Sequence, residues 1–305
     1  MKVDCKDMFY IKLGSGGKWE KECLLQRPSL RIGFNGVNHD DCLRGSWDKI
    51  RDYYLTEENK TESKASDHVR ELRTFYESNE SSIWITFSAN KMWWCIPKFE
   101  FEVLADNTKV RYLKSVWSDE DINGRKLTLG DLSGKLTKTQ AYRQTICNIE
   151  VKEYALRKIN GLDTEGVKEA KNAKKDLILK IEQLVKSLTW KDFEILIDLI
   201  FRQAGWQRLA QIGKQAKTID LELLQPVTSE KCIIQIKSQS DNKEFKDWVV
   251  KFRELSDYDK FFFVVHTEKG IIDENYSDKV KVLKSLEVAE LAVNSGLIDW
   301  VIKRN

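Results

Sequence analysis

Apolar runs in this chain are short. Phe261 to Val265, one of the longest, has five residues, where a helical membrane span needs ~20. The six cysteines (Cys5, Cys23, Cys42, Cys95, Cys147, Cys232) contain no CxxC pair and have no histidine at zinc-site spacing, which points to reduced structural thiols instead of a zinc centre. The three histidines, His39, His68 and His266, are isolated, and no Ser/His/Asp or Cys/His arrangement stands out. Charge of one sign is also lacking. The net charge is +3, with 24 Lys+Arg against 23 Asp+Glu in residues 1 to 150 and 27 against 25 in the remainder. Bulk charge therefore carries no argument for nucleic acid, and any such affinity must come from local basic patches. The opening residues, MKVDCKDMFYIKLGSGG, offer no apolar stretch for a secretory signal, so the cytoplasm is the expected compartment and no membrane partner is expected. Repeats and low-complexity tracts are absent.

What is present fits a soluble globular chain: 305 residues, 41% hydrophobic and 32% charged, enough for two domains of ordinary size. Residues 1 to 150 alternate short apolar runs with turn formers and are expected to form a β-rich domain. Ile83 to Phe87 and Met92 to Ile96 predict a hairpin looped at Ser88 to Lys91, and Val69, Leu72 and Tyr76 predict a helix over Asp67 to Tyr76. Residues 151 to 187 are expected to be a helical linker. Within them Leu177, Ile181 and Leu184 form an apolar stripe, and Lys168, Lys171, Lys174 and Lys175 form a basic face, read either as solvated or as a DNA-backbone contact. Residues 188 to 305 predict an α/β domain. It comprises a helix over 190 to 205 stopped by Gly205, strands over Thr218 to Leu224 and Lys231 to Ser238, a covered strand Phe261 to His266, a strand Val280 to Leu283, and a helix capped by Ser285.

Two polar residues interrupt the apolar strand Lys231 to Ser238. Because side chains alternate, Ile233, Gln235 and Lys237 share one face, and in the preceding strand Asp220 and Glu222 share a face. A loop centred between Val227 and Thr228 sets Asp220 opposite Gln235. Glu194 lies three and seven residues before Ile197 and Phe201, beside the apolar stripe of its helix, where burial without a partner is costly. Phosphodiester hydrolysis needs these residue types together: oxygen ligands for a hard divalent cation, and a cation to stabilise the transition state. Asp220 is the expected principal ligand and Gln235 a weaker one. Lys237 is expected to orient water or stabilise charge, and Glu194 to assist. The alternative is an Asp220–Lys237 salt bridge on an ordinary solvent face.

The run FEILIDLIFRQAGWQR, then KTIDLELL, then IIQIKSQ, resembles the Mrr-like branch of the PD-(D/E)xK restriction-endonuclease superfamily over about residues 188 to 305. A helix glutamate, an Asp strand and an (E/Q)xK strand match Glu194, Asp220, Gln235 and Lys237. Gln235 stands where Glu is commoner. The resemblance implies a restriction-endonuclease-like α/β domain and a magnesium-dependent endonuclease, with manganese as the alternative ion, acting on double-stranded DNA in defence against foreign DNA. A homodimer is implied, because cutting two strands usually takes two cores. A nuclease fold that binds DNA or RNA without cleaving it is the alternative.

Gly14 to Lys18 lacks the spacing of a phosphate-binding loop, with Trp19 in place of the required Ser/Thr, and predicts a turn. Trp84, Trp93, Trp94 and Trp117 crowd the first domain. They are read either as core or as a pocket stacking an extruded base. The stretch containing IWITF and MWWC is faintly similar to the PUA-like class, which includes modified-base readers. The whole then has the fold class α+β/α/β, a PUA-like β-rich domain followed by the nuclease domain.

Overall fold

The computed structural model describes residues 2–209, 219–273 and 276–305. The chain divides into two compact units, Met1–Thr164 and Glu165–Asn305. No helix among the described residues is long and apolar enough to cross a membrane.

Unit 1 contains strands β1 (Asp7–Ile11) and β2 (Leu30–Ile32), and helices α1 (His39–Leu43), α2 (Trp47–Thr56) and α3 (Glu62–Glu77). Strands β3 (Ser82–Ser88), β4 (Lys91–Val103) and β5 (Lys109–Ser118) follow, then α4 (Gly134–Thr137), β6 (Ile146–Asn148) and α5 (Lys152–Ile159). The six strands form one sheet in the order β2-β5-β4-β3-β1-β6, with β1 parallel to β3 and the other pairs antiparallel. The β3–β4 turn is tighter than the expected four-residue loop. Ala89 and Asn90 both take positive φ, 49° and 61°, the backbone a two-residue hairpin turn requires.

Both faces of this sheet are covered. Trp84, Cys95 and Trp117 pack with Leu72, Phe75 and Tyr76 of α3 on one side. Ile83, Ile85, Phe87, Met92 and Trp94 pack with Leu136, Ala155 and Ile159 on the other. A strand buried on both faces reads as continuously apolar, which accounts for IWITF and MWWC. The segment 151 to 187 is not one linker: α5 is part of this second cluster, and the helix that follows belongs to unit 2.

Within unit 1, Glu71 of α3 is 2% exposed and accepts the amides of Thr145 and Ile146 at 3.0 and 3.3 Å. Burial pushes its carboxyl from 4.5 up to about 7 against the pull of those two amides. The folded unit therefore keeps a proton that the unfolded chain releases. Its contribution is complete below about pH 4.5 and is lost as pH rises through about 7. Glu71→Gln keeps an acceptor and removes the charge. It should stabilise the unit by about 1–3 kcal/mol at about pH 8.5 and change little at about pH 4. Denaturant unfolding at the two pH values checks this, and an equal effect at both would contradict it.

Unit 2 comprises α6 (Glu165–Ser187), α7 (Trp190–Gln203), β7 (Gln207–Arg208), β8 (Leu221–Leu224) and β9 (Lys231–Ser240). After these come α8 (Asn242–Arg253), β10 (Lys260–Glu268), β11 (Val280–Leu283), α9 (Ser285–Asn294) and α10 (Ile298–Lys303). The sheet order is β11-β10-β9-β8-β7, with β10 parallel to both neighbours and β8 antiparallel to β9. Cys232, Ile234 and Ile236 face α6, α7 and α9. Ile233 faces Phe245, Trp248 and Val249 of α8. β10 lies inside the sheet between β9 and β11, where Phe261, Phe263, Val264 and Val265 are fully buried. Ser285 is the first residue of α9, not its cap; Lys284 takes the cap position, and the Ser285 hydroxyl donates to Glu182 at 2.8 Å.

Candidate active site

Helix α7 starts where the Thr189 hydroxyl accepts the Asp192 amide. It ends at Gly205, whose φ of 86° lets the Trp206 amide reach back to the Phe201 carbonyl at 3.0 Å. Its buried stripe is Phe193, Leu196, Ile197, Ile200 and Phe201. Glu194 and Asp198, one turn apart, flank that stripe and are half-buried.

The β8–β9 ladder pairs Leu221 with Ile234 and Leu224 with Lys231, the register that sets Asp220 opposite Gln235. Asp220 itself stands one residue before β8. Thr218, where the strand was expected to open, lies outside the described residues. Free of the ladder, the Asp220 carboxylate reaches across: Oδ2 accepts the Gln235 amide and the Ile236 backbone N–H, the latter at 2.6 Å. Burial pushes the Asp220 carboxyl up, opposed by the Ile236 amide and the Lys237 charge.

A cleft of about 160 Å3 is lined by Glu194, Ile195, Asp198, Arg208, Asp220, Leu221 and Ile236. Burial, and then the charge of Asp220, push Glu194 up, while Arg208 pulls it down. Glu194 and Asp220 thus share one cleft, and Gln235 is bonded to Asp220. Lys237 is not among the cleft's lining residues. Its ammonium pairs with Glu244 of α8 at 2.9 Å and lies 5.5 Å from the Trp248 ring centroid. Glu244 in turn accepts the Ser240 hydroxyl at 2.8 Å. Burial pushes the Glu244 carboxyl up, but its bonds to Lys237 and Ser240 outweigh that and hold it below the usual range.

Three residues absent from the sequence reading belong to this site: Asp198, Arg208 and Glu244. Asp198 was legible as the next turn of the Glu194 face. Arg208 and Glu244 carry no spacing signal, because the sheet edge and the packing of α8 bring them in. Glu222 lies opposite Ile233 in the ladder. His266 is structural: its ring nitrogens lie 3.0 Å from the Val185 carbonyl and from the Thr267 hydroxyl, and its edge meets Phe193.

Among the described residues no three Asp, Glu, His or Cys side chains stand at a spacing that encloses a metal ion by themselves. The donor set still fits a hard divalent cation. Gln235 is 4% exposed and its Oε1 has no hydrogen-bond partner among the described residues, an uncommon state for a buried acceptor, and the Asp220 carboxylate is beside it. Magnesium typically takes one or two carboxylates and fills its remaining positions with water and substrate phosphate. Asp198, which lines the cleft, also has an acceptor, Oδ1, without a hydrogen-bond partner among the described residues; Oδ2 of the same carboxylate pairs with Arg202 at 2.8 Å.

Trp84, Trp93, Trp94 and Trp117, four of the six tryptophans of unit 1, pack into its core instead of lining a shared stacking pocket. Trp84 is fully buried against Phe9 and Phe75. Trp94 and Trp117 are buried, their indole N–H groups donating to the Glu120 and Ser29 carbonyls at 2.7 and 3.0 Å. Trp93 is half-buried and donates to Ser88. Their ring faces are used by the core.

The mixed sheet sets Asp220 and Gln235 side by side, and Glu194 of α7 lines the same cleft as Asp220. Residues 185–269 match the model of the Mrr_cat family, described as restriction endonuclease. The matched residues all lie in unit 2, which over that stretch is similar to the Mrr-like restriction endonucleases. Neither curated proteins nor solved structures gave a significant match.

Proposed function

We propose that this protein is a metal-dependent endonuclease that hydrolyses double-stranded DNA, with unit 1 as its DNA-recognition domain. The observation that carries the proposal is the Asp220–Gln235 pair. It places a buried amide oxygen, without a hydrogen-bond partner among the described residues, beside a carboxylate, within the segment matching the restriction-endonuclease model. Asp220 and Gln235 Oε1 are the residues that would hold magnesium or manganese, which when bound supplies charge neutralisation on the phosphate and a more acidic water. Lys237 stabilises the charge that develops on the phosphate. Glu194, whose carboxyl is pushed up by burial and by the charge of Asp220, orients water or takes its proton. Arg208 supplies a cation to an incoming phosphate at the mouth of the cleft. Action as a homodimer, dependence on a modified base, a PUA-like reader role for unit 1 and a place in defence against foreign DNA are parts of the same proposal.

Digestion of unmodified, methylated and hydroxymethylated duplexes with magnesium or manganese tests it. Lys237→Ala should slow cleavage by about 10²–10³-fold, and Glu244→Gln, which loosens Lys237 without removing it, should have a smaller effect. Retained cutting by both Asp220→Ala and Lys237→Ala, purified and folded, would sink the proposal.

A second reading, a nuclease fold that binds nucleic acid without cleaving it, is favoured by Gln235 in place of a carboxylate and by the capture of Lys237 by Glu244. Metal-independent binding with no cleavage of any duplex would select it. Competition between duplex DNA and RNA identifies the polymer.

A further inference from the structure

Unit 1 holds a cavity of about 390 Å3 that takes no part in the chemistry of unit 2; it is within the size range of small-ligand pockets. One wall is the loop after β1. Gly14 has a φ of 83°, and a Cβ there would lie 2.7 Å from Lys18 Cγ and 3.0 Å from the Trp19 ring. The loop closes onto the indole because position 14 has no side chain.

Trp19 is half-buried and fixed. The Arg31 guanidinium lies 4.5 Å from its ring centroid and is itself held by Glu22 and Asp106, both at 2.8 Å, and by Thr108 at 3.0 Å. Asp106, the one carboxylate among the described residues that line the cavity, is thereby neutralised. Lys18 and Arg143 also line it, both exposed and neither with a carboxylate partner among the described residues. Lys18 Nζ lies 4.6 Å from the Trp19 ring centroid. A cation over an aromatic at an exposed position is weakly held, so a planar ring can replace it and release the ammonium to an anion. At the rim, the Asn35 amide donates to the Asp106 carbonyl at 2.7 Å, which leaves its oxygen as an acceptor.

An immobilised indole, two unpaired cations and an amide acceptor ask for one ligand with a flat heteroaromatic ring, a polar edge and a negative charge. A simple anion would leave Trp19 unused, and an apolar ligand would leave the cations unused. We propose that this cavity takes a single nucleotide, its base stacked on Trp19 and its phosphate met by Lys18 and Arg143. The source is either a nucleotide extruded from DNA, in which case the inference rests on the DNA-recognition reading of unit 1, or a free nucleotide.

The test uses the full chain in EDTA, so that no cleavage occurs. The probes are the four deoxynucleoside monophosphates with 5-methyl-dCMP, and duplexes that are unmodified, methylated, hydroxymethylated or singly mismatched. Trp19→Ala and the surface double variant Lys18→Glu/Arg143→Glu are compared with the parent, with thermal unfolding as the folding control. An extruded nucleotide predicts that both variants bind mismatched or modified duplex about tenfold or more weakly, with a smaller loss on unmodified duplex. A free nucleotide predicts loss of monophosphate binding in both variants with duplex binding unchanged. Duplex binding that neither variant alters, together with no monophosphate binding, overturns the cavity while the DNA-recognition reading stands. Binding of monophosphate but of no duplex overturns that reading while the cavity stands. Binding of neither probe overturns both.

Discussion

Asp220→Asn should lower metal-dependent cleavage by about 10³-fold or more with little loss of fold. The substitution is nearly isosteric, and an amide oxygen can still accept the Ile236 N–H that Asp220 Oδ2 accepts at 2.6 Å. The side chain of Gln235 can turn to present its oxygen to the new NH2 group. Burial already disfavours the charged form of Asp220, so removing the charge relieves desolvation in the metal-free protein. The cost falls on metal binding and on the reaction, both of which need the negative oxygen. A second readout separates the two effects. Magnesium or manganese should raise the thermal unfolding temperature of the parent over an EDTA control, because a ligand that binds only the native state stabilises it by mass action. The same ions should leave Asp220→Asn unmoved. A metal-induced shift of equal size in both proteins would remove Asp220 from the ligand set.

The second large effect lies in unit 1. Arg111→Met should destabilise it by about 3–5 kcal/mol. Arg111 is fully buried, and no carboxylate is among its hydrogen-bond partners. Its guanidinium donates instead to the carbonyls of Lys98, Phe75 and Ser78 and to the Ser78 hydroxyl, at 2.5–2.6 Å, and lies 5.2 Å from the Phe101 ring centroid. Phe75 and Ser78 belong to the carboxy-terminal end of α3, where unpaired carbonyls and the helix dipole favour a cation. Burial lowers the guanidinium to about 10, still charged at neutral pH. Methionine fills much of the volume but leaves three carbonyls without donors. The expected result is an earlier unfolding transition for unit 1 and an unchanged one for unit 2, read by calorimetry. Loss of less than about 1 kcal/mol would mean that water replaces the guanidinium at the end of α3.

Much of unit 2 is legible in its sequence. The apolar stripe of α7, its stop at Gly205 and the β8–β9 register follow from local rules: helical period, strand alternation and loop length. Those rules predict Asp220 opposite Gln235, and the ladder has that register. They place Glu194 beside the apolar stripe, the side of α7 on which Asp220 lies. In unit 1 local rules found the hairpin and α3 but not what covered them. An aromatic-rich strand reads the same whether its second face meets helices or a ligand, so Trp84, Trp94 and Trp117 could not be assigned from spacing. The cavity at Trp19 was hidden for the converse reason. Its wall joins the loop after β1, Asn35 after β2, Asp106 between β4 and β5, and Arg143 before β6, four segments that only the strand order brings together.

The sequence by itself determined the residue types of the candidate site, their strand faces and their register, because each depends on neighbours within a hairpin or a helical turn. Only the tertiary structure decided that Lys237 is held by Glu244 from α8, that Arg208 joins the cleft, and that Gln235 Oε1 has no partner among the described residues. It also divided residues 151 to 187 between two cores. These outcomes depend on which helix covers which sheet face, and burial free energy, being non-directional, leaves no periodic trace of that choice in the chain.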